Sequence, residues 1–473
     1  MSFQPDRSRG RFPAILILLF VIIAGLVAGA YFLRPRFESQ PPQVRITPDA
    51  KALGVGAPLE ILVTDVGAGL KTVTATLSAG GTEHALASEQ LGGGVAEKKV
   101  SVELAKLAGL KEGPAVLSVV ARDASLWSWF SGNETVVKKE LTIDITPPTL
   151  ELLADDRYVN FGGVGALVYR ASADTAASGV KIGEHFFPGF KGAIKGQPDH
   201  FFVLFAHPYN VPAETRPILV ATDGAGNARQ VPVAYQLMNV RYKKSSIALS
   251  DSFLQNKVAP LLSDVAARQA APKDVFVAVN KKLRKENEDR IAEVTRKSTP
   301  SLLWKGAFSQ LSNSKVEANF ADERTYTYNK EPIDTAYHVG YDLSVTKHYP
   351  AEAANSGTVA FTGDLGIYGN TVILDHGLGL FTLYSHLSSI EVKAGDKVEA
   401  RQAIGKTGET GLAAGDHLHY GVYLHGVAVL PVEWWDAKWI NDNIQPKLDG
   451  RSGAEIHEAQ QPKGRRAASK RRR

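Results

Sequence analysis

Three short stretches hold most of the chemically distinctive residues of this chain: YHVGYD at 337–342, YSHL at 384–387 and GDHLHY at 415–420. Of the 12 histidines in the sequence, seven lie between His338 and His425. The chain has no cysteine, so a metal site must use imidazole and carboxylate groups, a ligand set that suits zinc. These stretches predict a metal centre around which this part of the fold is organised.

The spacing of these side chains restricts how they can meet. His338 and Asp342 are four residues apart, about 13 Å in a straight strand. They therefore converge on one ion only through a helical turn or a bend, and Gly340 lowers the cost of a bend. His417 and His419 are two apart in a strand-like stretch, so both lie on one face with about 7 Å between their Cα atoms. Spacing alone leaves open whether these two are two ligands or one ligand and one catalytic neighbour.

The segment 326–440 resembles the lysostaphin- and LytM-type zinc metallopeptidases of the duplicated hybrid motif type, which cut peptides of bacterial peptidoglycan. The motifs stand in the family's order: HxGxD at 338–342, GIYGNTV at 366–372, DHG at 375–377, LYSHLS at 383–388, VxxGDxV at 392–398, IGxTGxTG at 404–411 and HLH at 417–419. The sequence departs from the family at Asp416, where proline is common, and at Gly421, where an acidic residue is common. Neither position is a metal ligand in the family, so the departures are expected to affect how the substrate fits more than whether the site is catalytically active.

The resemblance implies a set of site residues. In the family, the first histidine and the aspartate of HxGxD bind zinc together with the second histidine of HxH. This implies one Zn²⁺ per chain, held by His338, Asp342 and His419, with the fourth position left to water. His386 and His417 are the implied catalytic pair. One would take the proton of the water, and the other would stabilise the oxyanion or protonate the leaving amine, with the individual roles open.

The resemblance also implies an antiparallel β-domain over 320–440 with the groove on one sheet. Residues 319–324 correspond to the place where the polypeptide of related enzymes enters the rim of the groove. They are expected either to contact substrate or to occlude the site. Tyr384 is expected to line the cleft. His376 matches no ligand position and is expected to be structural.

The bulk composition is that of a multidomain globular protein. A chain of 473 residues that is 44% hydrophobic and 22% charged has room for roughly three domains. The formal net charge is +5, and the last twelve residues are rich in lysine and arginine. The absence of cysteine excludes disulfides, cysteine nucleophiles and thiolate zinc sites.

Residues 14–33 form an unbroken apolar run of about the length of a transmembrane helix. Arg7, Arg9 and Arg11 precede it, so the positive-inside rule predicts a cytoplasmic segment at 1–13 and an anchor at 14–33. The chain is then a single-pass protein of the cell inner membrane, with its C-terminal bulk periplasmic. The alternative is a cleaved signal peptide, since Ala-Gly-Ala at 28–30 is typical of a cleavage site. Both interpretations export the chain.

The residue pattern from 41 to 238 is typical of β-strands separated by turns. Residues 59–63 and 72–77 alternate with period two, and VARD at 120–123 recurs as VATD at 220–223, about one domain later. We predict two tandem immunoglobulin-like sandwiches at 41–147 and 148–238. They would act as spacers or bind the wall or a partner; the alternative is packing modules without a ligand.

Two segments flank the peptidase-like region. The period changes at 246–300, which predicts a helical linker. It is either an amphipathic pair packed on the next domain or a partner-binding or autoinhibitory arm. Residues 441–473 are polar and end in KRRR, which predicts a disordered basic tail. The tail is either solvated or a tether to anionic envelope polymers, and nucleic acid is not an expected partner of an exported chain.

The sequence therefore predicts a mainly β, membrane-anchored hydrolase of the cell wall. The expected activity is that of a zinc-dependent endopeptidase cutting peptide cross-links of peptidoglycan with metal-activated water. Two rival hypotheses are a non-catalytic LytM-like activator of a cell-wall amidase and a wall-binding scaffold. The bond is left open between a D-alanyl–diaminopimelate link and a glycine bridge.

Overall fold

The computed structural model describes residues 11–56 and 58–459, and the fold is mainly β. The chain divides into two compact units. The first comprises the chain up to Pro147 together with Thr222–Ala228, and the second comprises Pro148–Ala221 and the chain from Arg229 onward. The assignment of immunoglobulin-like domains within these units stays a prediction.

The N-terminal helix α1 spans Arg11–Leu33 and is followed by a 3₁₀ turn at Arg34–Phe37. Across the part of the chain that the structure describes, no helix meets the length and apolarity that a membrane crossing needs, so the anchor predicted at 14–33 is not confirmed. Most of the predicted cytoplasmic segment, 1–10, lies outside the described residues.

The first unit contains two sheets that share one core. Its elements are β1 (Gln43–Thr47), β2 (Ala52–Leu53), β3 (Leu59–Thr64), β4 (Leu70–Ala79), β5 (Thr82–Val95), β6 (Glu97–Val102), β7 (Gly113–Asp123), a short helix α2 (Trp127–Phe130) and β8 (Glu134–Ile143). The strand orders are β1-β3-β6 and β2-β8-β7-β4-β5. Leu59, Ile61 and Val63 of β3 are buried while their neighbours are half-buried, so the period-two pattern reflects one face turned to the core.

The second unit begins with a further pair of sheets. Its strands are β9 (Leu150–Ala154), β10 (Tyr158–Asn160), β11 (Val164–Ala171), β12 (Thr175–Ile182), β13 (His185–Pro188), β14 (Phe190–Lys191), β15 (His200–Ala206), β16 (Ile218–Asp223), β17 (Ala228–Pro232) and β18 (Gln236–Met238). The sheets are ordered β14-β15-β11-β9 and β13-β12-β16-β17. Tyr169 and Phe205 belong to the same hydrophobic core as Trp304 and Trp434, far along the chain. One core therefore continues from this region into the peptidase-like region.

The segment after Ser250 is helical, as its periodicity indicates. Its helices are α3 (Asp251–Phe253), α4 (Val265–Arg268), α5 (Pro272–Ala278) and α6 (Arg284–Val294), with π-helical turns at Leu254–Val258 and Val279–Leu283. The Ser250 hydroxyl accepts a hydrogen bond from the Phe253 amide and caps the first helix. Asn287 of α6 accepts a hydrogen bond of 2.9 Å from the Ile367 amide, so the helices pack on the region that follows.

The peptidase-like region is built on one large antiparallel sheet. Its strands are β19 (Lys244–Ala248), β20 (Lys315–Ala318), β21 (Asp322–Tyr328), β22 (Glu331–His338), β23 (Tyr341–Ser344), β24 (Pro350–Glu352), β25 (Gly357–Asp364), β26 (Asn370–Gly377), β27 (Leu380–Leu387), β28 (Ser389–Ile390), β29 (Lys397–Val398), β30 (Ala403–Lys406), β31 (Leu418–Leu424) and β32 (Val427–Val429). The large sheet has the order β20-β23-β31-β27-β26-β25-β29, with β32 beside β31. Smaller sheets of order β19-β21-β22 and β24-β30-β28 accompany it. The antiparallel pairing agrees with the fold expected for 320–440.

The C-terminal stretch differs from the disordered tail expected at 441–473. The described residues form α7 (Val432–Trp435), α8 (Ala437–Asn443), α9 (Gln445–Leu448) and α10 (Gly453–Ala459). The order has a clear cause, because Ile444, Leu448 and Ile456 are buried in the core. Lys447 is fully buried as well, and its ammonium donates to Asp156 and to the Asn443 carbonyl, each at 2.6 Å. The remainder of the predicted tail, 460–473, lies outside the described residues.

Lys447→Ala is expected to lower the free energy of unfolding of the second unit by about 3–5 kcal/mol, because the Asp156 carboxylate stays buried after its cation is removed. Lys438→Ala is the matched control, since Lys438 is exposed and pairs with Asp442 on the surface of α8. Its cost should stay below about 1 kcal/mol. Urea denaturation at pH 7 measures both variants, and equal losses would show that the buried pair has no special weight.

Candidate active site

Neighbouring strands bring three of the predicted site residues together. Asp342 on β23 is paired directly with His419 on β31, and His338 ends β22 immediately before the turn into β23. The His338 Nε2 atom lies 2.9 Å from the Asp342 Oδ1 atom and 3.0 Å from the His419 Nδ1 atom. The remaining separation, from His419 Nδ1 to Asp342 Oδ1, is 2.9 Å. The three predicted ligands therefore converge on one point.

Gly340 is required at this turn for a second reason besides the bend that was expected. A β-carbon there would lie 2.6 Å from the Tyr420 carbonyl oxygen and 2.7 Å from His419 Nε2. Both distances are shorter than any relaxed contact. The glycine therefore allows β23 to approach the HLH strand closely, in addition to easing the bend between His338 and Asp342.

The arrangement of the three residues fits a zinc ion. The Nδ1 atom of His338 donates to the Asn319 carbonyl at 2.9 Å, which leaves its Nε2 lone pair facing the other two groups. Zinc ligands about 2.0–2.1 Å from a tetrahedral ion are separated by roughly 3.3 Å, close to the spacing of these donor atoms. The set of two imidazoles and one carboxylate leaves a coordination position open, which is typical of catalytic rather than structural zinc.

The two other predicted histidines lie beside this cluster. The ring of His386 is 4.8 Å from that of His417 and 5.8 Å from that of His419, measured between centroids. The Nδ1 atoms of His386 and His417 donate to the carbonyls of Thr410 and Gly415, each at 2.8 Å. The Nε2 atom of each ring is therefore the one free to exchange a proton, and that of His417 lies 3.5 Å from Asp342 Oδ1.

The backbone at His386 is held in an unusual conformation. Its φ is +62°, in the left-handed region that non-glycine residues rarely adopt. Such residues persist only where the surroundings fix them, and they cluster at functional sites. Here the conformation follows from the end of β27, where the chain turns and the imidazole is directed towards the site.

Charge and burial set the protonation of this cluster. Burial alone would raise the pKa of Asp342, but the three histidines around it hold that pKa well below its usual value. Burial lowers the pKa of His419 to about 4 and puts the pKa of His386 well below its ordinary value. For His417, burial also acts downward, but the hydrogen bond to Asp342 outweighs it and raises the pKa. Asp342 and His419 are thus unprotonated at neutral pH, as metal binding requires.

A cavity of about 250 Å³ opens over these residues. Part of its wall comes from outside the HxGxD-to-HLH segment: Phe253, Phe276 and Arg284 from the helices, and Arg324 and Tyr326 from β21. Sequence reasoning missed the helical residues as part of the site. Their amphipathic pattern indicated a buried face but could not say which surface that face covers.

Two further expectations concern aromatic residues near the site. Tyr384 does not line the cavity, contrary to expectation. It is buried, and its hydroxyl accepts from the Ala354 amide at 2.7 Å and lies 2.9 Å from the Thr382 hydroxyl. His376 is structural, as expected: its Nδ1 atom donates to the Ser356 carbonyl, and its Nε2 atom accepts from Thr382.

His376 makes the stability of this region depend on pH. Burial lowers its pKa from 6.5 to about 4, against a partial opposing effect of the Ser356 carbonyl. Since the folded pKa is below the unfolded one, this contribution is complete above about pH 6.5 and is lost as the pH falls towards 4. Between pH 7 and 4.5, His376→Gln should lose about 2 kcal/mol less stability than the wild type. Urea titrations at both pH values measure this, and parallel losses would contradict it.

Comparison with known proteins adds the following. A profile of peptidase family M23 matches residues 336–431. The DD-carboxypeptidase/endopeptidase Mpg of Neisseria meningitidis serogroup B is 37% identical over 109 residues, which are 23% of this chain and 25% of that protein. The peptidoglycan DD-endopeptidase ShyA of Vibrio cholerae is 36% identical over 115 residues, 24% of this chain and 26% of ShyA.

Among solved structures, the catalytic domain of lysostaphin from Staphylococcus simulans is 27% identical and is covered to 98%, against 28% of this chain, with a TM-score of 0.24. The chain spans about a quarter of the length of the curated relatives it matches. The range matched by the family profile contains all five predicted site residues. Residues 336–431 are a peptidase family M23 domain.

Proposed function

We propose that this protein is a zinc-dependent endopeptidase that hydrolyses peptide cross-links of bacterial peptidoglycan. The observation that carries the proposal is the convergence of His338 Nε2, Asp342 Oδ1 and His419 Nδ1 within 3.0 Å of one another, next to two further imidazoles. The names of Mpg and ShyA, which describe endopeptidases, support the same substrate class.

The chemistry follows from what these residues offer. When bound, zinc lowers the pKa of a coordinated water and polarises the carbonyl of the scissile peptide. His338, Asp342 and His419 would hold the ion on one side and leave the cavity side free for substrate. Of the Nε2 atoms of His386 and His417, one would accept the proton of the water, and the other would stabilise the oxyanion or protonate the leaving amine. The orientation of each ring is fixed, because its Nδ1 atom donates to a backbone carbonyl, and its Nε2 atom remains available for proton exchange.

The test is a digestion with the purified full chain and no other protein. We expect about one zinc per chain, conversion of cross-linked muropeptides into uncross-linked ones, and loss of activity on chelation that zinc restores. The masses of the products identify the bond. A preparation that contains zinc but cuts no cross-links, and solubilises sacculi only when a cell-wall amidase is added, would favour the non-catalytic activator instead.

We further propose that the domain works outside the cytoplasmic membrane, where its substrate lies. The apolar run at 14–33 supports this, because an anchor and a signal peptide would both lead to export. The basic residues at the C-terminal end would favour anionic envelope polymers. Protease treatment of spheroplasts decides the location, since a chain that resists digestion until the cells are lysed is not exported.

A further inference from the structure

An arginine, Arg324, contacts the proposed metal ligand Asp342 from the side away from the two histidines. The Arg324 guanidinium lies 3.2 Å from Asp342, and the contact is made to Oδ2, the oxygen that faces away from His338 and His419. The other oxygen, Oδ1, is the one that faces both imidazoles at 2.9 Å. Oδ2 of Asp342 thus contacts the Arg324 guanidinium, while Oδ1 faces the proposed metal position.

Arg324 is itself fixed from behind. Its Nε atom lies 3.7 Å from the Asp322 carboxylate, which is buried. Asp322 in turn accepts from the Ser245 hydroxyl at 2.9 and 3.1 Å. Ser245 belongs to β19, which pairs in parallel with β21 and places Ser245 directly beside Arg324. A continuous chain of polar contacts therefore runs from Ser245 through Asp322 and Arg324 to Asp342.

This series of polar contacts begins outside the M23 domain. Residues 336–431 include Asp342 but neither Arg324, nor Asp322, nor β19. Only 18% of the Arg324 side chain is exposed, so water screens its contact with Asp342 poorly. A buried, charge-assisted contact of this kind restricts the rotation of the carboxylate.

We propose that Arg324 is a positioning residue, which holds the Asp342 carboxylate with Oδ1 turned towards His338 and His419. Without metal, the lone pairs of two imidazoles and one carboxylate oxygen repel one another, and a free carboxylate would turn away. The contact to Oδ2 keeps Oδ1 in place before the ion arrives, and it leaves Oδ2 engaged so that Asp342 contributes one oxygen. Residues behind metal ligands act in this way in other metal sites. The inference rests on the proposed function, because it assumes that these three residues bind zinc.

The test compares three variants of the full chain for zinc affinity, measured by competition with a chromophoric chelator, and for the visible spectrum of the cobalt-substituted protein. Arg324→Leu should weaken zinc binding about 10–100-fold and change the intensity of the cobalt bands, since the carboxylate can then rotate or bind through both oxygens. Arg324→Lys, which keeps the charge and a donor, should recover part of the affinity. Arg284→Leu removes another arginine of the same cavity, whose guanidinium donates to Asn280, and should leave the zinc affinity within about threefold.

The outcomes separate this inference from the proposed function. If the wild-type chain binds no zinc, the proposed function fails. If the wild type binds zinc and Arg324→Leu shows the same affinity and the same cobalt spectrum, the positioning role is wrong while the proposed function stands. If Arg324→Leu and Arg284→Leu weaken binding equally, the effect is one of general cavity charge and the inference is also overturned. Should Arg324→Leu fail to fold, Arg324→Lys decides: zinc binding weaker than in the wild type together with changed cobalt bands supports positioning by the guanidinium, and wild-type affinity with the wild-type spectrum contradicts it.

Discussion

His419→Ala is expected to abolish both zinc binding and hydrolysis of peptidoglycan. The Nδ1 atom of His419 lies 2.9 Å from Asp342 Oδ1 and 3.0 Å from His338 Nε2, so its loss leaves two of three donors. A bound zinc ion stabilises the transition state by several kcal/mol, so its loss should lower the rate of cross-link cleavage at least ~10³-fold. The metal content after dialysis and the rate of release from purified sacculi measure the two effects separately.

His348→Ala is the matched control for this variant. It removes an imidazole from the same domain, but the side chain is 54% exposed and lies outside the cluster of three donors. We expect its zinc content and rate to remain near those of the wild type. A His419→Ala protein that keeps full zinc content and full activity would show that the three donors are not the metal site.

His386→Ala and His417→Ala are expected to retain zinc but to lose about 10²–10⁴-fold in kcat. The physical reason is that both rings lie beside the cluster, with their Nδ1 atoms engaged by backbone carbonyls and their Nε2 atoms available for proton exchange. The double variant should be little worse than the poorer single one, because the two groups serve one reaction. Single-turnover digestion of a cross-linked muropeptide, with zinc content checked in the same samples, provides the measurement.

The results of these two variants can exclude either residue. A variant that loses zinc together with activity would place its residue among the metal ligands. A variant with unchanged kcat would remove that residue from the proton pathway. For His417, the comparison also tests the contact of 3.5 Å with Asp342, because a ring that only supports the carboxylate should affect zinc affinity more than kcat.

The sequence predicted the clustered residues better than their surroundings. His338, Asp342 and His419 were identified through the resemblance of their motifs to the metallopeptidase family, and strand pairing brings them together. The contact of Arg324 with Asp342 could not be predicted from composition or period, since it depends on the register between β21 and β22. The segment 319–324 was singled out only as a rim of the groove.

The misses elsewhere also have physical causes. The stretch 441–459 looked polar, and its order depends on a few well-spaced apolar side chains such as Ile444 and Ile456, and on the burial of Lys447 beside Asp156. A buried lysine has no signature in a single sequence, because its partner is almost three hundred positions away. The expectation that Tyr384 lines the cleft, which came with the family resemblance, was wrong because this side chain is buried beside Ala354 and Thr382.

The core that joins Tyr169 and Phe205 to Trp304 and Trp434 has a practical consequence for producing the M23 domain as a separate fragment. A fragment cut at the edge of the M23 domain would expose large aromatic surfaces that are dry in the intact chain, and such surfaces promote aggregation. The smallest fragment that should fold without exposing this core is therefore expected to start near Pro148 and to end near Ala459. It is about three times as long as the M23 domain.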